Sequence, residues 1–183
     1  MKAADLPNAI TVFRFLLVPP VVGLLLADRY AAALIVFAVA GVSDGIDGYL
    51  AKRFHWTSQL GAMMDPLADK LLLVCSFVTL GYLGAIPMWL VVLVILRDLV
   101  IVGGAVSYHV LIEPLTAAPS KVSKLNTFAQ LLLVVVVMLD HGVRALPQPW
   151  IEVLSGAVLV TTLWSGLDYV WTWGWKAWRK RSS

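Results

Sequence analysis

The chain has 183 residues, of which 60% are hydrophobic and 14% are charged, and its formal net charge is +3. Soluble globular domains carry about 25% charged residues, so this composition excludes an ordinary soluble enzyme, a disordered chain and a coiled coil. At about 20 residues per membrane-spanning helix, the length allows about six spans. We therefore predict one all-α integral membrane domain over residues 1–183.

Six apolar segments follow one another along the chain, each near the length of a membrane-spanning helix. They run over about Leu6–Ala27, Tyr30–Leu50, Leu60–Leu83, Ile86–Leu111, Lys124–Met138 and Trp150–Trp173. Each segment is predicted to be an α-helix, because lipid offers no partner to the unpaired backbone groups of an open strand.

The basic residues between these segments indicate how the chain is oriented. With the N-terminus inside, nine of them lie on the cytoplasmic side and two, Arg29 and Arg144, lie on the opposite side. The nine are Lys2, Lys52, Arg53, Lys121, Lys124, Lys176, Arg179, Lys180 and Arg181. This bias predicts that both termini are cytoplasmic. Because these residues flank apolar segments and form no single face, nucleic acid is not expected as a partner.

Four aspartates interrupt the second and third apolar segments. Asp44 and Asp47 are three residues apart, and Asp65 and Asp69 are four apart, so each pair shares one helix face. A short connection makes the two helices antiparallel neighbours, and both pairs then converge near the cytoplasmic end. Four close carboxylates stay ionised only if cations lie between them, and oxygen ligands favour Mg²⁺ or Mn²⁺. Two such ions suit phosphoryl transfer, although a cation-transport site or a proton relay uses the same residues.

The residues around these aspartates resemble a known family. The stretch Asp44-Gly-Ile-Asp47-Gly-Tyr-Leu-Ala-Lys52, followed by Gly61, Asp65 and Asp69, is similar to the signature D-x2-D-G-x2-A-R-x8-G-x3-D-x3-D of CDP-alcohol phosphatidyltransferases. Lys52 stands where the family usually has Arg, which keeps the charge but loses the bidentate fork. The resemblance implies six transmembrane helices around a cytoplasm-facing polar cavity, usually in a homodimer. It also implies that a phosphatidyl group passes from CDP-diacylglycerol to an alcohol, with release of CMP.

The same resemblance implies roles for individual residues. Asp44, Asp47 and Asp65 would hold two divalent cations, and Asp69 would be the general base and a further metal contact. The CDP-lipid would be bound by residues of this signature and of a first-helix motif, namely Asn8, Thr11, Arg14, Gly48, Ala51, Lys52 and Gly61. Two alternatives are a helix N-cap for Asn8 and a structural ion pair for Arg14.

The acceptor alcohol is indicated by the fourth and fifth segments. Arg97-Asp98 and Ser123-Lys124-Leu125-Asn126-Thr127, with Gln130, resemble the CMP-forming cardiolipin synthases of this family. The resemblance implies that Arg97, Lys124 and Asn126 bind the acceptor, and that the acceptor is phosphatidylglycerol. Phosphatidylglycerophosphate synthases, which bind a dianionic phosphate, have further cations where Ala105 and Asn126 stand here.

Two other functions stay open at this point. One is CDP-diacylglycerol–glycerol-3-phosphate 3-phosphatidyltransferase activity, and the more remote one is a non-catalytic membrane scaffold or cation carrier. The length and the lack of a targeting extension are typical of a protein of the bacterial inner (plasma) membrane.

Overall fold

A computed structural model shows six α-helices among the residues that it describes. In chain order they are α1 (Leu6–Leu26), α2 (Tyr30–Phe54), α3 (Gln59–Tyr82), α4 (Met88–Leu111), α5 (Lys121–Gly142) and α6 (Pro149–Arg181). The structure describes the backbone of residues 6–54, 59–111, 121–147 and 149–181, and the side chains of residues 11–45, 67–104, 122–147, 149–169 and 171. Within these ranges there is no β-strand, so the predicted all-α class is confirmed.

Each helix coincides with one of the six apolar segments, but three helices are longer than expected. Helix α2 continues to Phe54, α5 extends in both directions to Lys121 and Gly142, and α6 continues to Arg181. The predicted ends lie close to the last apolar residue of each segment. A helix satisfies its own backbone hydrogen bonds, so it can continue into polar sequence beyond an apolar segment.

Two helical segments in the described part of the chain are long and apolar enough to cross a membrane. They are Val122–Gly142 and Pro149–Tyr169, while Thr11–Leu26 and Tyr30–Gly45 are apolar but shorter. The number of membrane spans therefore stays a prediction.

The chain divides into two compact units. Unit 1 comprises residues 1–85 and 134–146, and within it α1 packs against both α2 and α3. Its core includes Val21, Leu25, Ala33, Phe77 and Leu80, all of which are buried. This packing places α1 where its side chains can reach the acidic segments of both neighbours.

The connection between α1 and α2 is a tight turn. Asp28 adopts a left-handed conformation with φ of 56°, and the backbone N–H of Arg29 donates to the carbonyl of Leu24 at 2.8 Å. This bond satisfies one of the carbonyls that a helix leaves free at its C-terminus. Helix α2 can then begin at Tyr30 and run back along α1.

Unit 2 comprises residues 86–133 and 147–183, and within it α4 packs against α6. Its apolar core includes Leu90, Val91, Val94, Leu133 and Val158. Buried polar side chains lie on the same helices, and they form the second polar region described below.

Several large apolar side chains are exposed while charged and amide side chains are buried. Leu16 is 66% exposed and Leu167 is 71% exposed, whereas Arg14 and Gln130 are each 1% exposed. In a protein surrounded by water, such large apolar side chains are mostly interior and arginines mostly exterior. The distribution seen here is typical of helices whose outer faces contact lipid.

Candidate functional site

The guanidinium of Arg14 joins the acidic segments of α2 and α3. Its Nη1 atom donates to Oδ1 of Asp44 and, at 2.7 Å, to Oδ1 of Asp69. The Arg14 side chain is 1% exposed, whereas the side chains of Asp44 and Asp69 are 37% and 51% exposed. A buried cation on α1 therefore holds together two carboxylates that are far apart in sequence and remain accessible from outside.

The position of Arg14 follows from the helix packing of unit 1. Helix α1 contacts both α2 and α3, so one residue on its inner face can reach both neighbours. Thr11 lies one turn before Arg14 on the same face and is also buried. The structural ion pair considered for Arg14 is thus present, and its two partners are aspartates of the predicted site.

The other residues of the acidic motif lie on the same two helices. Asp47 falls within α2 and Asp65 within α3, and both helices are continuous. The predicted i, i+3 and i, i+4 relationships therefore hold for the backbone. Seven of the predicted site residues have side chains that lie outside the described residues, and these are Asn8, Asp47, Gly48, Ala51, Lys52, Gly61 and Asp65. Their roles stay predictions.

The described part of the site has the chemistry that a hard divalent cation requires. Asp44 and Asp69 offer only oxygen ligands, which Mg²⁺ and Mn²⁺ prefer. Both carboxylates already converge on one positively charged atom of Arg14. Among the described side chains there is no group of three potential metal ligands. The donor set thus fits a metal ion as far as the described residues reach, and a complete set would require Asp47 and Asp65.

A second polar region lies in unit 2, around Arg97 of α4. Its Nη1 atom donates to Asp98 at 2.8 Å, and its Nη2 atom donates to Ser123 of α5 at 2.9 Å and to Ser165 of α6. Arg97 is buried, with 8% of its surface exposed. Its terminal nitrogens thus connect three helices, an arrangement that favours a positioning role.

Asn126 of α5 lies on the same helix face as Ser123, one turn further along. It is fully buried, and the hydroxyls of Thr161 and Thr162 each lie 2.9 Å from its Oδ1 atom. Lys124, which precedes Asn126 by two residues, is exposed. Of the three predicted acceptor-binding residues, two therefore belong to a buried polar region and one does not.

Sequence reasoning gave no site role to several members of this region. Gln130 of α5 and the hydroxyl residues of α6, Thr162 and Ser165, are all buried. The signal was their spacing: Ser123, Asn126 and Gln130 occur at i, i+3 and i+7 in an apolar helix. This spacing marks a polar stripe on α5.

Comparison with known proteins identifies the same family that the aspartate motif resembles. The sequence model of the CDP-alcohol phosphatidyltransferase family matches residues 4–166. The CMP-forming cardiolipin synthase of Rattus norvegicus is 31% identical over 182 residues, covering 90% of this chain and 60% of the relative.

Relatives that are named for glycerol 3-phosphate have comparable identities to this chain. The chloroplastic CDP-diacylglycerol–glycerol-3-phosphate 3-phosphatidyltransferase 1 of Oryza sativa subsp. japonica is 33% identical, covering 90% of this chain and 56% of the relative. The CDP-diacylglycerol–glycerol-3-phosphate 3-phosphatidyltransferase of Bacillus subtilis is 27% identical, covering 90% of this chain and 93% of the relative. The chain thus spans about 60% of the length of the rat and rice relatives, and overall similarity does not separate the two acceptors.

Proposed function

Because this chain belongs to the CDP-alcohol phosphatidyltransferase family, we propose that it transfers a phosphatidyl group from CDP-diacylglycerol to an alcohol and releases CMP. The observation that carries the proposal is the convergence of Asp44 and Asp69 on Arg14. It brings the first and last aspartates of the family signature to one place. A purely structural ion pair would need only one of them.

The chemistry assigned to this site is proton transfer coupled to phosphoryl transfer. The acceptor hydroxyl forms a bond to the lipid-side phosphorus of CDP-diacylglycerol, the bond from that phosphorus to CMP breaks, and Asp69 takes the hydroxyl proton. Asp69 suits this role because its side chain is half exposed and therefore accessible to a substrate. Arg14 donates a hydrogen bond to Oδ1 of Asp69 at 2.7 Å and so holds the carboxylate in place.

Divalent metal ions are used generally in this family. We propose two Mg²⁺ or Mn²⁺ ions, held by Asp44, Asp47, Asp65 and Asp69; when bound, they would neutralise the diphosphate and the leaving CMP. The CDP-lipid would contact the remaining motif residues, which are Asn8, Thr11, Gly48, Ala51, Lys52 and Gly61. Arg14, predicted as a further CDP-lipid contact, is assigned a positioning role in addition, because it already binds both aspartates.

The proposed setting is the bacterial inner membrane. Six transmembrane helices would form one domain over residues 1–183 and surround a cytoplasm-facing polar cavity, with both termini cytoplasmic and two copies forming a homodimer. The support for membrane embedding is the combination of exposed apolar side chains with buried Arg14 and Arg97, together with the two apolar helical segments long enough to cross.

The proposed acceptor is phosphatidylglycerol, which would make the product cardiolipin. The support is Asn126, which stands where a glycerol-3-phosphate enzyme would have a lysine, and the neutral hydroxyls around it. Glycerol 3-phosphate is the second candidate, because relatives named for it are as similar as those named for cardiolipin synthesis.

One assay tests the activity and the acceptor together. Purified full-length protein is incubated with CDP-diacylglycerol, Mg²⁺ or Mn²⁺ and each candidate alcohol, and CMP release is measured. We expect release with phosphatidylglycerol. Release with glycerol 3-phosphate alone would replace the acceptor, and no release with any alcohol despite bound metal would favour a scaffold or a cation carrier.

The role of Asp69 has a matched control within the chain. Asp69→Asn should abolish CMP release and leave binding of CDP-diacylglycerol largely intact, because the proton acceptor is lost while Asp44, Asp47 and Asp65, the main proposed metal ligands, remain. Asp28→Asn makes the same chemical change at an exposed turn, where the left-handed conformation suits asparagine. Normal activity in the Asp69 variant, or equal loss in both variants, would contradict the assignment.

A further inference from the structure

Two amide side chains on one face of α5 are buried with unused donors. Asn126 is 0% exposed and Gln130 is 1% exposed. Within the described part of the chain, Nδ2 of Asn126 and Nε2 of Gln130 have no hydrogen-bond partner. The two residues are four apart, so their side chains lie next to each other along the helix. Because a buried donor without a partner is costly, two neighbouring ones point to a missing ligand.

The orientation of Asn126 is set by its neighbours on α6. The hydroxyl of Thr162 donates to Oδ1 at 2.9 Å, and the hydroxyl of Thr161 lies at the same distance. Because the carbonyl side of the amide is used in this way, the NH₂ side is left for another acceptor. The protein thus presents a neutral hydrogen-bond donor at a fixed position.

Among the described residues, the ion pair of Arg97 and Asp98 lies beside this face of α5. Arg97 binds Ser123, which lies on the same α5 face as Asn126, but it also binds the carboxylate of Asp98 at 2.8 Å. One guanidinium and one carboxylate cancel formally. A ligand here would therefore meet neutral donors and little net positive charge, which suits an anion of low charge better than a dianion.

We propose that Asn126 and Gln130 bind oxygen atoms of the acceptor's glycerol-phosphate headgroup and select a phosphodiester over a phosphomonoester. This inference rests on the proposed function and adds Gln130 to the specificity-determining residues. The shared chemistry is a glycerol group joined to phosphate. Its two sources are phosphatidylglycerol, whose phosphate carries one negative charge, and glycerol 3-phosphate, whose phosphate carries up to two.

The variant Gln130→Met separates a purely structural role of Gln130 from a role in binding the acceptor. Gln130→Met keeps the length of the side chain and removes both donor and acceptor without adding charge. If Gln130 joins helices, the variant should unfold at a lower temperature and bind substrates normally. If Gln130 binds the acceptor, the variant should keep or raise its unfolding temperature, because an unpaired buried group is gone, while KM for phosphatidylglycerol rises about tenfold.

Asn126→Asp is the second variant, because aspartate has almost the same shape and can still accept from Thr162. It replaces the NH₂ group by an oxygen that repels a phosphate, so KM for phosphatidylglycerol should again rise about tenfold or more, with KM for CDP-diacylglycerol unchanged. Ser76→Ala in unit 1 is the matched control, because it too removes a buried polar group without a partner in the described residues. It should change neither KM.

Binding measured without turnover separates failure of this inference from failure of the proposed function. Full-length protein in phosphatidylcholine nanodiscs is titrated with phosphatidylglycerol or with glycerol 3-phosphate, in the absence of CDP-diacylglycerol. Weaker phosphatidylglycerol binding in both amide variants supports the inference, even if the protein releases no CMP. Unchanged phosphatidylglycerol binding and KM in both variants would overturn it, and so would tighter binding of glycerol 3-phosphate by the unmodified protein.

Discussion

The ion pairs of Arg14 with Asp44 and Asp69 predict that loss of both carboxylates lowers the stability of the fold more than loss of the guanidinium does. The double variant Asp44→Asn, Asp69→Asn leaves a guanidinium that is 1% exposed without either carboxylate. Losing two carboxylate partners of a buried charge costs up to about 5 kcal/mol, which corresponds to a fall in unfolding temperature of up to roughly 20 °C for a chain of this size. Either single variant keeps one of these two described ion pairs and should lose less.

Removing the cation should be less damaging than removing both anions. In Arg14→Met the remaining carboxylates are 37% and 51% exposed, so water can solvate them. Their oxygens contacted the same nitrogen and lie no more than about 5 Å apart, so their repulsion is about 1–3 kcal/mol at an effective dielectric constant between water and a protein surface. A divalent cation should relieve that repulsion.

Thermal unfolding in detergent micelles, with and without Mg²⁺, measures both effects. We expect the double aspartate variant to be the least stable and to gain nothing from Mg²⁺, whereas Arg14→Met gains more from Mg²⁺ than the unmodified protein does. If the double variant unfolded at the same temperature as the unmodified protein, Arg14 would not be buried against Asp44 and Asp69, and this description of the site would be wrong.

Three further predictions concern the site and its support. Chelation of divalent ions by EDTA should abolish CMP release, and added Mg²⁺ or Mn²⁺ should restore it; full activity in EDTA would exclude a metal requirement. Asp44→Asn should weaken metal and CDP-lipid binding together, as measured by calorimetry, in contrast to the isolated loss of turnover expected for Asp69→Asn. Gly142→Ala should destabilise unit 1 by about 1–3 kcal/mol, because its Cβ would lie 2.4 Å from the backbone nitrogen of Ala31. Gly23→Ala, which has open space around the new Cβ, should unfold no earlier than the unmodified protein, and equal effects of the two glycine changes would contradict the close approach.

The helical class, the approximate positions of the six described helices and the spacing of the acidic motif all follow from the order of residues along the chain. Apolar segments of membrane-spanning length must form helices in lipid, because the backbone has no other partner there. Within one helix, separation along the chain fixes which residues share a face. The spacing of the aspartates is therefore enough to place each pair on one helix face.

Which helix faces contact each other is visible only in the folded protein. Arg14 lies 30 residues from Asp44 and 55 from Asp69, and no local rule predicts that its guanidinium contacts both. Likewise, Arg97 is predicted to bind the acceptor, and only the packing of the helices shows that its terminal nitrogens also contact Ser123 and Ser165. Contacts between helices depend on packing and on which polar groups find partners when water is excluded. Those conditions exist only once the helices are assembled. In the described residues they leave Nδ2 of Asn126 and Nε2 of Gln130 without a hydrogen-bond partner.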